Sequence, residues 1–463
     1  MSGWMCSRQA PFPALPADHL ALTKRRSPHI HGGTTVTAPP YDTHCLLRER
    51  QVVEWLPGIG YRTPRDADSI VAVLRSSIAQ WGQARNQFTL WYDPPRTAHL
   101  LFASSTPTLE GCCLMKLGLG LYPRLLTPEN FRFARQVGAT HIVAHLPDWS
   151  ASGQRQVPAG QELQSPIWSY EELRHLRSTI NSEGLELAAI ENFEPGHWYD
   201  ILLDGPKKTE QMDGLKQIIR NMGKAGIPVM GYNFSMAGVW GRTTGPWARG
   251  GALSVGYVEE QAPPHDPIPN GTIWNMVYDR NAPAGDIGTV SSEQLWSRFG
   301  YFLKELVPVA EEANVRLALH PDDPPLASVR QTARLVYRPE LYQRVIDTVP
   351  SYYNALEFCQ GTIAEMHGDM DIYEAVDRYA GQDRIAYVHF RNVKGKVPNY
   401  HEVFVDEGDM DMIRTLRLYK KHGYDGVCIP DHTPGLECGA PWHAGMAYAL
   451  GYMRAAIRMI ESE

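Results

Sequence analysis

From Met115 to its C-terminus the chain alternates short, wholly apolar runs with longer segments whose apolar residues recur every three or four positions. Unbroken apolar runs mark strands buried on both faces, and the longer repeat marks helices with one buried stripe. Strands are expected over 116–122, 141–146, 185–191, 228–234, 316–320, 355–359, 385–390 and 426–430. Helices are expected over 127–138, 169–184, 207–226, 291–314, 328–349, 372–381, 410–423 and 442–463. The first helix opens with an N-cap threonine, Thr127, followed by Pro128 and Glu129, a strong start signal. Gly138, Gly184, Gly226 and Gly423 stand where a left-handed residue ends a helix before the next strand. Eight strands alternating with eight helices in one domain predict an α/β fold, specifically a (βα)8 TIM barrel.

Two stretches break the cycle. Residues 1–114 carry proline-containing turns, a basic KRR at 24–26 and scattered tryptophans without sustained alternation. They read as a poorly structured N-terminal extension to a barrel domain spanning 115–463, with Met115 as the start of the folded domain. The second stretch lies between the fourth and fifth strands, where residues 235–288 are rich in Gly, Pro, Trp and Asn. Long ordered loops in compact domains usually carry function, so this one reads as a cover over the site.

Composition narrows the partners. A formal charge of -7 over 463 residues offers no basic face for nucleic acid. No stretch approaches the roughly 18 to 20 apolar residues of a membrane helix. Seven cysteines, an odd number without a CxxC pair, together with no recognisable signal peptide, suit a reducing cytoplasm. GLGLYPR after the first strand lacks the spacing of a phosphate-binding glycine loop, which argues against a nucleotide cofactor. A small-molecule substrate remains, with homo-oligomerisation left open.

Four residues of metal-ligand type end successive strands: His320 in LALHPDDPP, Cys359 in LEFCQG, His389 in AYVHFRN and Asp431 in VCIPDH. The C-terminal ends of barrel strands meet at one face, so these four are expected to converge on one ion. Mixed nitrogen, sulfur and oxygen donors suit a divalent first-row metal, and the residues alone leave manganese, iron, cobalt and zinc open. His432, whose ordinary pKa is near neutrality, is the expected general acid/base, beside Asp431. Asn233, Arg242 and Arg391 are candidate binders of hydroxyls and a carboxylate, with Asn392 beside them. Glu191, with Glu194 and His197 nearby, ends the third strand and is expected to face the same pocket. Asp322 and Asp323 follow the first ligand, either touching substrate or stiffening a loop held by three prolines.

The assembled motifs resemble the mannonate dehydratase family. The matching pieces are IRNMGKAGIPVMGYNF with WGRT soon after, then HPDDPP, FCQG, HFRN, EGDMDM and PDH, in that order. The resemblance spans 115–463. It implies a xylose-isomerase-like barrel that dehydrates D-mannonate to 2-keto-3-deoxy-D-gluconate in hexuronate breakdown, with Mn²⁺ or Fe²⁺ as cofactor. It also implies metal ligands at His320, Cys359, His389 and Asp431, and a catalytic histidine at His432. The chain departs from the family pattern at SMAGVWGRT, at TIAEMHGD and after PDH, where Trp442, His443 and Tyr448 stand in a segment without a clear counterpart to the family's tyrosine. A metal-dependent sugar isomerase or epimerase, and a non-catalytic sugar-acid-binding barrel, are the competing expectations.

Overall fold

The computed structural model describes residues 115–147 and 167–463. Eight parallel strands close into a barrel, each beside its sequence neighbours: β1 Lys116–Leu121, β2 His141–His145, β3 Glu186–Glu191, β4 Val229–Tyr232, β5 Arg316–Leu319, β6 Asn354–Cys359, β7 Ile385–His389 and β8 Val427–Ile429. Pairing of Lys116 with Val427 and of Leu117 with Cys428 joins β8 to β1 and closes the ring. All eight expected strands are present, so the barrel expectation holds. The extension expected over 1–114 lies outside the described residues.

Within β1 the LGLGL pattern divides the two faces of the barrel wall. Leu117, Leu119 and Leu121 join the large core between strands and helices. Gly118 points inward, where a Cβ would stand 2.5 Å from a Val427 methyl. Small and branched residues, among them Val143, Ala318, Ala355 and Val427, fill the barrel interior. A β-barrel of eight strands is just wide enough for such a filling.

Outside the strands run α1 Pro128–Gln136, α2 Tyr170–Ser182, α3 Pro195–Leu203, α4 Lys208–Ala225, α5 Ser292–Ala313, α6 Leu341–Thr348, α7 Gln360–Glu365, α8 Ile372–Gly381, α9 Met412–Lys421 and α10 Pro441–Ser462. Thr127 caps α1 by accepting from the Asn130 amide, and reciprocal capping boxes start α2 (Ser169, Glu172), α5 (Ser291, Gln294) and α8 (Asp371, Glu374). Each such cap contributes about 1 kcal/mol. The four glycines expected at helix ends all have positive φ.

The structure corrects two helical expectations. Only the second half of 328–349 is helical, because Arg330 and Gln331, at φ 51° and 63°, turn the first half into a hairpin of Ser328–Val329 with Thr332–Ala333. That turn delivers the Arg334 side chain into the interior, where it is fully buried. The apolar periodicity there reflects burial of a loop. Two further helices stand where none was expected, α7 directly at the end of β6 and α3 a few residues past β3.

Residues 235–288 are also structured. Arg242–Ala248 and Ala252–Val258 form a hairpin that pairs with Asn399–Glu402, itself paired with Val393–Lys396, giving a four-stranded antiparallel sheet. A second small hairpin joins Thr272–Ile273 to Met276–Val277. Two loops distant in sequence are thus tied together at the C-terminal end of the barrel.

Candidate active site

His320 follows β5, Cys359 ends β6, His389 ends β7 and Asp431 lies just beyond β8. The donor atoms of His320, Cys359 and His389 lie within 4.8 Å of one another. Asp431 joins them, its Oδ2 standing 3.5 Å from His389 Nδ1. Its backbone is left-handed, at φ 61°, a conformation that aspartate tolerates better than most residues and that turns the carboxylate inward.

Each donor is aimed by a neighbour. His320 Nδ1 lies 2.6 Å from the Pro321 carbonyl, which can only accept, so Nδ1 carries a proton and Nε2 is the nitrogen left to meet an ion. His389 Nε2 sits 3.2 Å from both Glu191 Oε2 and Glu357 Oε1, which leaves Nδ1 as the free donor of that ring. His389 Nδ1 has no hydrogen-bond partner. Carboxylates and carbonyls behind metal-binding imidazoles fix their tautomer in this way. Cys359 Sγ accepts from Thr362 Oγ1 at 3.1 Å and from Arg391 Nη2 at 3.4 Å. Burial opposes ionisation of the thiol, but the Arg391 charge and the two imidazoles hold its pKa well below the usual range.

The charges fit a cation. Burial disfavours a charged His320, yet the Cys359 sulfur and Glu357 push its pKa up to about 9. His389 is raised well above its ordinary value against the same burial, by Asp431 and Glu191. Protons on these imidazoles offset the surplus of negative donors, the role a divalent ion would take over. Two imidazoles, a thiolate and a carboxylate form a donor set for a first-row divalent metal.

Behind the donors lies a buried ionic network. Arg391, 2% exposed, reaches Asp431 Oδ2 through Nε at 3.1 Å, Glu365 and Glu402 through Nη1 at 3.0 and 2.7 Å, and Asp323 through Nη2 at 3.3 Å. Asp323 also binds Arg242 and accepts from Tyr400 Oη at 2.7 Å. Glu402 Oε1 stands 3.0 Å from His432 Nδ1, while His432 Nε2 lies 3.4 Å from Asp431 Oδ1. Glu402, Tyr400 and Arg242 all belong to the antiparallel sheet, which is how that sheet helps build the site.

A cavity of about 290 Å³ opens above this network, near the lower end of the size range for small-molecule sites. Of the expected residues, His320, His389, Asp431 and His432 line it, as do Glu191, Asn233, Arg242 and Arg391. Arg391 has its nitrogens directed at protein acceptors and steadies Asp431 and Cys359. Asn233 spends its amide on Trp274 Nε1, at 3.1 Å, and on the Pro321 carbonyl, at 3.3 Å.

Asp322 is turned away from the cavity. Its carboxylate accepts from Arg334 Nη1 at 3.0 Å and from the Leu335 and Val336 amides at 2.9 and 2.8 Å, so it clamps the Arg334 loop. Asn392 likewise holds the carbonyls of Val405 and Met410. Glu194 and His197 pack beside Trp168, away from the cavity lining. Trp442 and His443 pack on Phe133, and Tyr448 meets Arg249.

Several contributors were missed. Tyr122 and His145, from the ends of β1 and β2, stack at 4.4 Å and line the cavity. Their only signal was position, just past or at a strand end. Glu357 sits two residues before Cys359 inside an apolar run, the pattern of an inward-facing buried acid. Glu402 lies on a short strand outside the barrel and Trp274 in a hairpin turn, where the barrel's periodicity says nothing.

The family model for D-mannonate dehydratase (UxuA) matches residues 125–258 and 284–455. A mannonate dehydratase of Streptococcus pneumoniae (strain 70585) is 30% identical over 287 residues, covering 60% of this chain and 76% of the relative. One from Streptococcus uberis is 30% identical over 308 residues, covering 64% of this chain and 86% of the relative. The crystal structure of mannonate dehydratase from Streptococcus suis serotype2 superposes with a TM-score of 0.61 at 25% identity, covering 75% of this chain and 94% of that one. With most of the barrel and its strand-end motifs inside the match, the chain belongs to the D-mannonate dehydratase (UxuA) family, a family of hydro-lyases.

Proposed function

We propose that this enzyme dehydrates a six-carbon sugar acid, D-mannonate, to 2-keto-3-deoxy-D-gluconate and water in hexuronate breakdown, using Mn²⁺ or Fe²⁺. The observation that carries the reading is the convergence of the His320, Cys359 and His389 donors beside Asp431. These four residues would hold the ion, and when bound it would supply Lewis acidity that makes the C2 proton of a 2-hydroxy acid removable. The other requirements fall on the chain itself.

Loss of water takes a proton from C2 and breaks the C3–O bond, with a second proton joining the departing hydroxide; the resulting enol then becomes the 2-ketone. His432 is the group we assign to proton transfer. Glu402 holds its Nδ1, and its side chain is 29% exposed, so the ring is anchored yet accessible. Arg242 is the cation offered to the substrate carboxylate; Asp323 and Glu402 keep it in place. Residues 235–288 exclude water through Val239, Trp274, Asn275 and Met276, which line the cavity. Among the described residues no helix is long and apolar enough to cross a membrane, and a thiolate ligand is best preserved in the reducing cytoplasm, where we place the enzyme.

The test is a product assay. Purified protein with Mn²⁺ or Fe²⁺ and D-mannonate is expected to yield a 2-keto-3-deoxy acid, detected as loss of 18 mass units (approximately, for one water) with the spectral signature of the keto acid. Aldose–ketose interconversion or epimerisation without loss of water would refute dehydration, and binding of the acid without turnover would indicate a sensor.

A further inference from the structure

We propose that Trp274 is a specificity-determining residue, reading the carbon chain of the acid beyond the atoms engaged by the strand-end donors. This rests on the sugar-acid reading above and extends it to a discriminating element. The donor side of the cavity comes from strand ends, whereas Val239, Trp274, Asn275 and Met276 come from the segment between β4 and β5. Within that segment, residues 259–283 fall between the two blocks of the family match. The strand-end donors therefore sit on matched residues, whereas Trp274, Asn275 and Met276 lie outside the family match.

The indole is held in place by several independent features. Trp274 and Asn275 form the two-residue turn of the hairpin Thr272–Ile273 with Met276–Val277, at φ 55° and 59°. Such turns favour Asn and Gly, and a bulky residue with positive φ is an outlier that its surroundings must enforce. Here the Trp274 amide donates to the Met236 carbonyl at 2.6 Å, and Asn275 Nδ2 donates to the Val239 carbonyl. The indole Nε1 donates to Asn233, itself anchored to the Pro321 carbonyl next to His320. The ring lies against Gly238, where a Cβ would stand 2.8 Å from an indole carbon, so only glycine admits this approach. The indole is thereby held in a fixed position at the cavity wall. A polyol chain presents C–H groups between its hydroxyls, and a rigid indole matches such a surface. On this proposal a longer chain would contact the indole and a shorter one would not.

The test measures binding and turnover separately for D-mannonate, an aldopentonate and an aldotetronate, with Mn²⁺-loaded wild type, Trp274→Ala and Trp274→Leu. Leucine keeps bulk against Gly238 while removing the flat face, so it carries the test if the alanine protein folds poorly. In both variants Kd for D-mannonate is expected to rise about tenfold or more, with Kd for the four-carbon acid within about threefold of wild type. For D-mannonate, KM should rise while kcat stays within about threefold. An equal loss at every chain length, or no change at any, overturns the proposal. Should the variants lose D-mannonate binding selectively while no protein turns any of these acids over, the dehydratase reading falls and this inference stands. Wild type that binds none of them overturns both.

Discussion

Replacing Glu402 tests how the site controls His432, the proposed proton-transfer group. Glu402 is 3% exposed, and its Oε1 accepts from His432 Nδ1 at 3.0 Å and from Arg391 Nη1 at 2.7 Å. A carboxylate can only accept, so the contact with Glu402 puts a proton on Nδ1 and leaves Nε2 facing the reaction. Glu402→Ala removes that acceptor. Arg391 keeps Glu365 at 3.0 Å, so the network beneath survives, while the His432 ring loses its anchor and its enforced tautomer. A hydrogen bond to a charged partner contributes about 1.5–3 kcal/mol. If the bond is made fully only when the ring is oriented for reaction, its loss lowers kcat by roughly 10- to 150-fold. KM should move less than kcat, because Glu402 reaches the substrate only through Arg242, which Asp323 still holds. Glutamine keeps the acceptor oxygen without the charge and should restore part of the loss. Steady-state kinetics of both variants, with metal content measured in parallel, provide the assay. A Glu402→Ala enzyme with kcat within about threefold of wild type would refute the reasoning, as would concurrent loss of bound metal.

Three further outcomes follow from the same geometry. Cys359→Ala should abolish stoichiometric metal binding and activity while the barrel still unfolds cooperatively; full metal retention by elemental analysis would remove Cys359 from the donor set. Asp322→Ala leaves a buried Arg334 charge and two backbone amides without their acceptor, so it should cost about 3–5 kcal/mol in denaturant unfolding. Retained stability with a raised KM would instead make Asp322 a substrate contact. Burial alone would raise the Asp323 pKa, but Arg242, Arg391 and Tyr400 hold it below the ordinary carboxylate range. A depressed folded-state pKa contributes stability above the unfolded value near about 4, and this is lost as pH falls through the folded value. The stability gap between wild type and Asp323→Asn should therefore narrow below about pH 4, and a gap constant with pH would count against the network.

The order and type of the barrel elements were legible along the chain because strands buried on both faces leave unbroken apolar runs. Caps such as Thr127 and Ser169, and glycines such as Gly226, announce helix ends through local backbone chemistry alone. For the same reason His320, Cys359, His389 and Asp431 could be expected to meet, since parallel closure brings consecutive strand ends to one face. What stayed hidden depends on contacts between distant segments. That Asp322 turns away from the cavity was decided by Arg334, placed by a hairpin whose burial mimics a helical repeat. Glu402 meets His432 only because Asn399–Glu402 pairs with Ala252–Val258, and Trp274 enters the cavity only because Asn233 and Gly238 receive it. Periodicity records burial by neighbours on the same element; the partner of a loop side chain is chosen by the folded surroundings.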